Sequence, residues 1–134
     1  MIKPREKIVE SDFRKLIGQR CKPFPKVGFV DDVPDKQGVY VIYSPRNGRV
    51  VHVGRTYRGK KGLRQRLRNH LQGASSFTKE FLKGDGSRLR RGYEFQYLTL
   101  SPWRRRALLE FYATGILCPL HLGKHRHKRK RLQK

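Results

Sequence analysis

Val39–Ser44 reads VYVIYS, Pro45–Gly48 reads PRNG, and Arg49–Val53 reads RVVHV. β-Branched and aromatic side chains crowd the outer two pieces because they fit the pleated, half-buried surface of a strand. Pro, Asn and Gly between them supply the backbone conformations of a turn. Strand, turn, strand is therefore predicted, and the other elements have to pack on this hairpin.

Downstream, Gly62–Leu71 (GLRQRLRNHL) places Leu63, Leu67 and Leu71 on one helical stripe. A second short helix is expected from a Ser75/Ser76 cap, with Phe77, Phe81 and Leu82 as its apolar side, broken by Gly84 and Gly86. Tyr93, Phe95, Tyr97 and Thr99 alternate with their neighbours as a strand does. Ser101-Pro102 reads as an N-cap followed by Pro at the first helical position. The helix it opens carries Ala107, Leu108, Phe111 and Tyr112 and should stop before Pro119. Upstream, residues 8–17 (IVESDFRKLI) read as a short helix stopped by Gly18, and Pro23, Pro25 and Pro34 make residues 19–37 an irregular arm. The expected fold is α+β, a small antiparallel sheet of about three strands with packed helices. Residues 1–32 form the helix and arm, 33–122 the main domain and 123–134 a basic tail.

Charge narrows the class of partner. The 134 residues hold 33 Lys and Arg against 10 Asp and Glu, a net charge of +23. A compact body with that charge repels itself unless counter-charge lies nearby, so a polyanion, nucleic acid above all, is the expected partner. The tail Lys124–Lys134 (KHRHKRKRLQK) has no acid and almost nothing apolar to order it. Between Lys36 and Lys79 there is no acid at all, which points to a phosphate-facing surface. Its candidate contacts are Arg55, Arg58, Lys60, Lys61, Arg64 and Arg68, with Lys124, Arg126, Lys128, Arg129, Lys130 and Arg131 from the tail. His121, His125 and His127 are expected to face nucleic acid or to be disordered, and not to ligate metal. No apolar run spans a bilayer, no signal peptide opens the chain, and no long amphipathic helix sets aromatics opposite basic residues, so no membrane partner is expected. Cys21 and Cys118 lie far apart without a CxxC or zinc spacing. That excludes a disulfide scaffold and a zinc finger, and it fits a reduced, cytoplasmic compartment.

Gly38-Val39-Tyr40 opens the first strand and His52-Val53-Gly54 closes the second, followed by Arg55. The next helix carries Arg66 and His70 one turn apart, and the last helix carries Glu110. This order resembles the GIY-YIG nuclease superfamily over roughly Val33 to His121. The resemblance implies an endonuclease that hydrolyses phosphodiester bonds, DNA being favoured over RNA. It implies Tyr40 and Arg66 around the scissile phosphate, His70 in support, and Glu110 holding one divalent cation, Mg²⁺ or Mn²⁺. Two positions differ from the family pattern: His52 stands where the second Tyr is expected, and Leu122 or His121 where an Asn is.

The same residues suit the chemistry on their own terms. Phosphodiester hydrolysis needs an activated water and neutralisation of growing charge. Arg66 is a permanently ionised fork for phosphate, and a lone carboxylate can hold one hydrated Mg²⁺. A two-metal site needs clustered carboxylates, which the acid-poor second half lacks. Tyr40 and His52 are both base candidates. The phenol, with an ordinary pKa of about 10, serves only if Arg66 or metal-bound water lowers it. His52, with an ordinary pKa of about 6.5, predicts a mildly acidic inflection in rate. For Tyr40 and His52 to share a face, the hairpin loop must be odd or a bulge must intervene, because sides alternate at every strand residue. Each residue also has a structural alternative: Tyr40 as a strand aromatic, Arg66 as a simple phosphate contact, Glu110 paired with Arg106, and His70 as a cation at a helix end. A non-enzymatic, ribosomal-protein-like module binding RNA or DNA explains the composition equally well.

Overall fold

The computed structural model describes residues 4–57 and 61–122. Arg58 and Lys60, and the tail candidates from Lys124 to Arg131, lie outside them. Helix α1 (Pro4–Ile17) leads into strand β1 (Lys22–Pro23), then β2 (Gly38–Tyr43) and β3 (Val50–Arg55) form the hairpin. Helices α2 (Leu63–Leu71) and α3 (Ser76–Phe81), a 3₁₀ turn (Gly86–Arg90), β4 (Glu94–Thr99) and α4 (Trp103–Leu117) follow. The fold is α+β, as expected, with an antiparallel sheet in the order β1-β4-β2-β3. The short β1, from the arm expected to be irregular, adds a fourth strand at the edge of β4.

Two cores flank this sheet. On one face, Tyr40, Ile42 and Val51 pack with Leu63, Leu67 and Leu71 of α2, Phe77 of α3 and Leu89. On the other, Val39, Val41 and Val53 pack with Phe13 and Leu16 of α1 and Leu109 and Ala113 of α4. The N-terminal helix thus belongs to the same packed body as the hairpin.

The hairpin decides which side chains meet. Tyr40 pairs with Gly54 and Ile42 with His52, but Tyr43 pairs with Val50, so Val51 is an extra residue. This bulge keeps Tyr40 and His52 on one face despite the four residues between Ser44 and Arg49, whose backbones hydrogen-bond at 2.7 Å. Two glycines of the motifs are required by close approach. A Cβ on Gly38 would strike the Leu98 carbonyl, and one on Gly54 would strike the Tyr40 hydroxyl.

Helix α2 has no cap of its own, and Asp35 supplies one, accepting from Gly62 N at 2.8 Å and Gln65 N at 3.1 Å. Ser75 caps α3 as expected, accepting from Thr78 N. Pro102, not Ser101, is the N-cap of α4. The Ser101 and Leu100 carbonyls are instead held by the buried Arg106 guanidinium, which also donates to Thr56 O. After α4, Cys118 turns the chain left-handed (φ 48°). His121 then pairs with the outer edge of β3, its N–H on Val51 O at 2.9 Å.

Candidate active site

Past that bridge, the outer edge of β3 opens onto a pocket of about 180 Å³ walled by His52, Gly54, Arg55, Tyr57, Arg66, Glu110 and His121. It lies where the helix layers on the two faces of the sheet meet at an edge strand. His52 and Arg66 reach it from the α2 side, Glu110 from α4.

Tyr40 and His70 lie behind His52 and Arg66, both fully buried. Their hydrogen bonds determine the His70 tautomer. The Ser75 hydroxyl donates to Thr78 Oγ1, and Thr78 Oγ1 donates to the His70 carbonyl. Ser75 Oγ, 2.6 Å from His70 Nδ1, therefore has only a lone pair to offer, so His70 donates from Nδ1. Its Nε2 is left as an acceptor and takes the Tyr40 hydroxyl hydrogen at 2.7 Å. Burial, helped by the charge of Arg66, holds His70 well below its ordinary pKa, so the ring is neutral. It is a buried acceptor, not the helix-end cation that its position in α2 allows. Burial also pushes the Tyr40 phenol up to about 12, against the lowering pull of Arg66, so the lowered pKa that a Tyr40 base requires is not met in the free protein.

His52 stacks on Phe77 at 4.7 Å between ring centroids, and its Nδ1 lies 3.2 Å from Nδ1 of His121. His121 Nε2 faces Glu80 Oε1 at 2.7 Å. In the tautomer in which His52 Nδ1 donates to His121 Nδ1, the lone pair of His52 lies on Nε2. Burial, then repulsion from His121 and Arg66, lowers His52 to about 3. The ring is neutral throughout the physiological range, and the mildly acidic inflection expected from an ordinary histidine is not its own in the free protein.

Two buried side-chain polar atoms lack a hydrogen-bond partner among the described residues: His52 Nε2 and Arg66 Nε. Both belong to residues lining this one pocket. Orphaned buried polar atoms are rare and costly, and both of these belong to side chains that also face the pocket, which makes it the candidate site for a polar ligand.

Glu110 does not pair with Arg106. It takes Arg55 Nη1 on Oε1 at 2.6 Å, both side chains about one-fifth exposed. Burial raises its carboxyl against the opposing pull of Arg55. Among the described residues no three His, Cys, Asp or Glu converge as metal ligands. A lone carboxylate beside a polar pocket suits one hydrated hard cation and does not fit an all-protein cage.

The remaining candidates divide. Arg64 Nε is engaged by Val33 O at 2.7 Å, and Arg68 stacks on Phe29 at 4.2 Å, away from the pocket. Lys61 is exposed, its carbonyl accepting from Gln37. His121, expected to face nucleic acid, is instead buried against His52. The only local sign of it was a histidine two residues beyond Pro119, at one of the two positions where the resemblance leads one to look for an Asn.

No helix among the described residues is long and apolar enough to cross a membrane. No known protein family matches the chain, and no curated protein matches it.

Proposed function

We propose that the protein is a metal-dependent endonuclease of the GIY-YIG type, hydrolysing phosphodiester bonds in DNA. The observation that carries this reading is the pair of orphaned polar atoms, His52 Nε2 and Arg66 Nε, at a pocket whose one carboxylate is Glu110. A phosphodiester with its attacking water would satisfy both, a non-bridging oxygen accepting from Arg66 and the water donating to His52.

Each residue then has a task. Arg66 orients the phosphate and neutralises charge growing on it. His52, neutral with an unpartnered Nε2, takes the proton of the attacking water as the bound phosphate and water reach it. The phosphate charge offsets the field of Arg66 and raises the proton affinity of His52 above its free-state value. Tyr40 and His70 form the rigid floor, the phenol held by His70 so that its ring supports His52 and its oxygen faces Arg66. Glu110 would hold the cation, Mg²⁺ or Mn²⁺, which supplies Lewis-acid stabilisation when bound. Arg55 restrains that carboxylate from the other side.

Supercoiled plasmid incubated with the purified chain is expected to be nicked with Mg²⁺ and left intact with EDTA. Glu110→Gln, which keeps an acceptor for Arg55, should lose about 10²-fold or more of the rate while retaining DNA binding, and His52→Ala should lose a comparable factor. Binding without nicking in Mg²⁺ and in Mn²⁺ would leave the non-enzymatic, basic nucleic-acid-binding module as the function.

A further inference from the structure

At the mouth of the pocket the Arg55 guanidinium lies between two aromatic rings, 4.9 Å from the Tyr57 centroid and 5.3 Å from that of Phe111. Both rings are among the most exposed large side chains described, Tyr57 at 57% and Phe111 at 64%. Neither contributes to either core. Arg55 cannot leave cheaply, since it is paired with Glu110 on a largely buried side. The result is an aromatic–cation–aromatic tray, two exposed rings about one guanidinium, beside the pocket that Arg66 and Glu110 line.

From this geometry we infer that the tray stacks an unpaired nucleobase next to the phosphate in the pocket. The substrate is accordingly single-stranded or locally opened nucleic acid in place of intact duplex. The inference rests on the phosphodiester reading of the pocket and specifies its substrate. Three observations lead to it. A base pairs its π-face with exposed Tyr and Phe rings whatever its identity, and Arg adds a cation–π contribution. A base inside a duplex has both faces covered by its neighbours, so only an unpaired one can use the tray. The net charge of +23 selects a polyanion over an apolar protein surface as the occupant. Beyond Phe111 an open groove of about 730 Å³ runs between α1 and α4, lined by Val9, Leu108 and Tyr112 and by charges of both signs, Arg5 and Arg104 with Glu6 and Glu10.

The test is binding in EDTA, where no cleavage is needed, with a fluorescein-labelled 20-nucleotide oligo-dT and a mixed-sequence duplex of equal length. Tyr57→Ala and Phe111→Ala alter exposed side chains and should leave the fold intact by circular dichroism. Each should weaken single-strand binding by about 5- to 150-fold, the scale of one lost base–aromatic stack. Duplex affinity and the salt slope should stay unchanged, because no phosphate contact is removed. Tyr57→Phe and Phe111→Tyr should bind like the parent. A 2-aminopurine in the single strand should be quenched by the parent and not by the double alanine variant. A matched oligo-U run alongside tells whether DNA or RNA supplies the base, and a loss on either strand supports the tray. Equal losses on single strand and duplex, or none, would overturn it. So would a change of sedimentation from dimer to monomer with nucleic-acid affinity unchanged, which would assign the rings to self-association. Stacking without any plasmid nicking would sink the nuclease reading and leave the tray. Nicking with single-strand binding indifferent to both rings would do the reverse.

Discussion

The two faces of one sheet have been given opposite characters. On the face towards α1 and α4, the buried strand side chains are Val39, Val41 and Val53, packed on Leu16, Leu109 and Ala113. On the face towards α2 and α3, the same two strands present Tyr40, Ile42 and His52, and the opposing helices add His70 and Phe77. The first face gains stability by excluding water from hydrocarbon. The second buries two imidazoles and a phenol, and it does so at low cost only where each polar atom finds a partner. Two atoms at the pocket do not. A face that is polar inside and incompletely satisfied is where binding should be sought, and the hydrocarbon face is what keeps it rigid.

The largest expected effect is on the hydrocarbon face. Leu109→Ala should cost about 2–5 kcal/mol in urea unfolding, because a fully buried leucine leaves a cavity. The dependence of stability on pH should stay that of the parent. If the pH dependence changed with Leu109, the two faces would not be independent.

A smaller effect is expected where the polar face is tightest. Gly54→Ala places a Cβ against the Tyr40 hydroxyl and should destabilise by about 1–3 kcal/mol, with plasmid nicking lost as the phenol is displaced from His70. Gly115→Ala, in α4 with open space around it, is the control and should stabilise by roughly 1 kcal/mol through helix propensity. Equal behaviour of the two glycines would remove the steric role given to Gly54.

The smallest effect, per unit of pH, comes from the neutral imidazoles. His52 and His70 have folded pKa values below the unfolded one of about 6.5, so below that pH the unfolded chain takes up protons the folded chain refuses. Their contribution is complete above about pH 6.5 and is lost as pH falls towards the folded values, by up to about 1.4 kcal/mol per pH unit for each. Urea midpoints at several pH values between 7.5 and 5 measure the slope. His52→Phe, which keeps a ring on Phe77, should reduce it by one histidine's share. An unchanged slope would mean that His52 is protonated in the folded state.

Much of this arrangement could be read from short stretches. The β-branched runs around PRNG, the leucine stripe of α2 and the Ser75 cap of α3 are each determined by neighbours within a few residues, and the structure contains them nearly where the pattern puts them. The condition for Tyr40 and His52 to share a face was legible as well, since strand alternation is strict. Which device would meet it was not. Alternation specifies parity, and the bulge at Val51 depends on how the ladder is drawn against β4 and the segment after α4.

The sequence by itself determined the α+β elements, the basic character, and the residue types at Tyr40, His52, Arg66, His70 and Glu110, because propensity, charge and periodicity act over a few residues at a time. Only the tertiary structure decided their partners. Glu110 meets Arg55, 55 positions away, where the nearby Arg106 had been the obvious candidate. His121 closes on His52 across 69 positions, and the cap of α2 comes from Asp35. Such pairings, like the neutrality of His52 and His70, depend on which groups burial leaves within hydrogen-bond reach, and burial is a property of the packed chain.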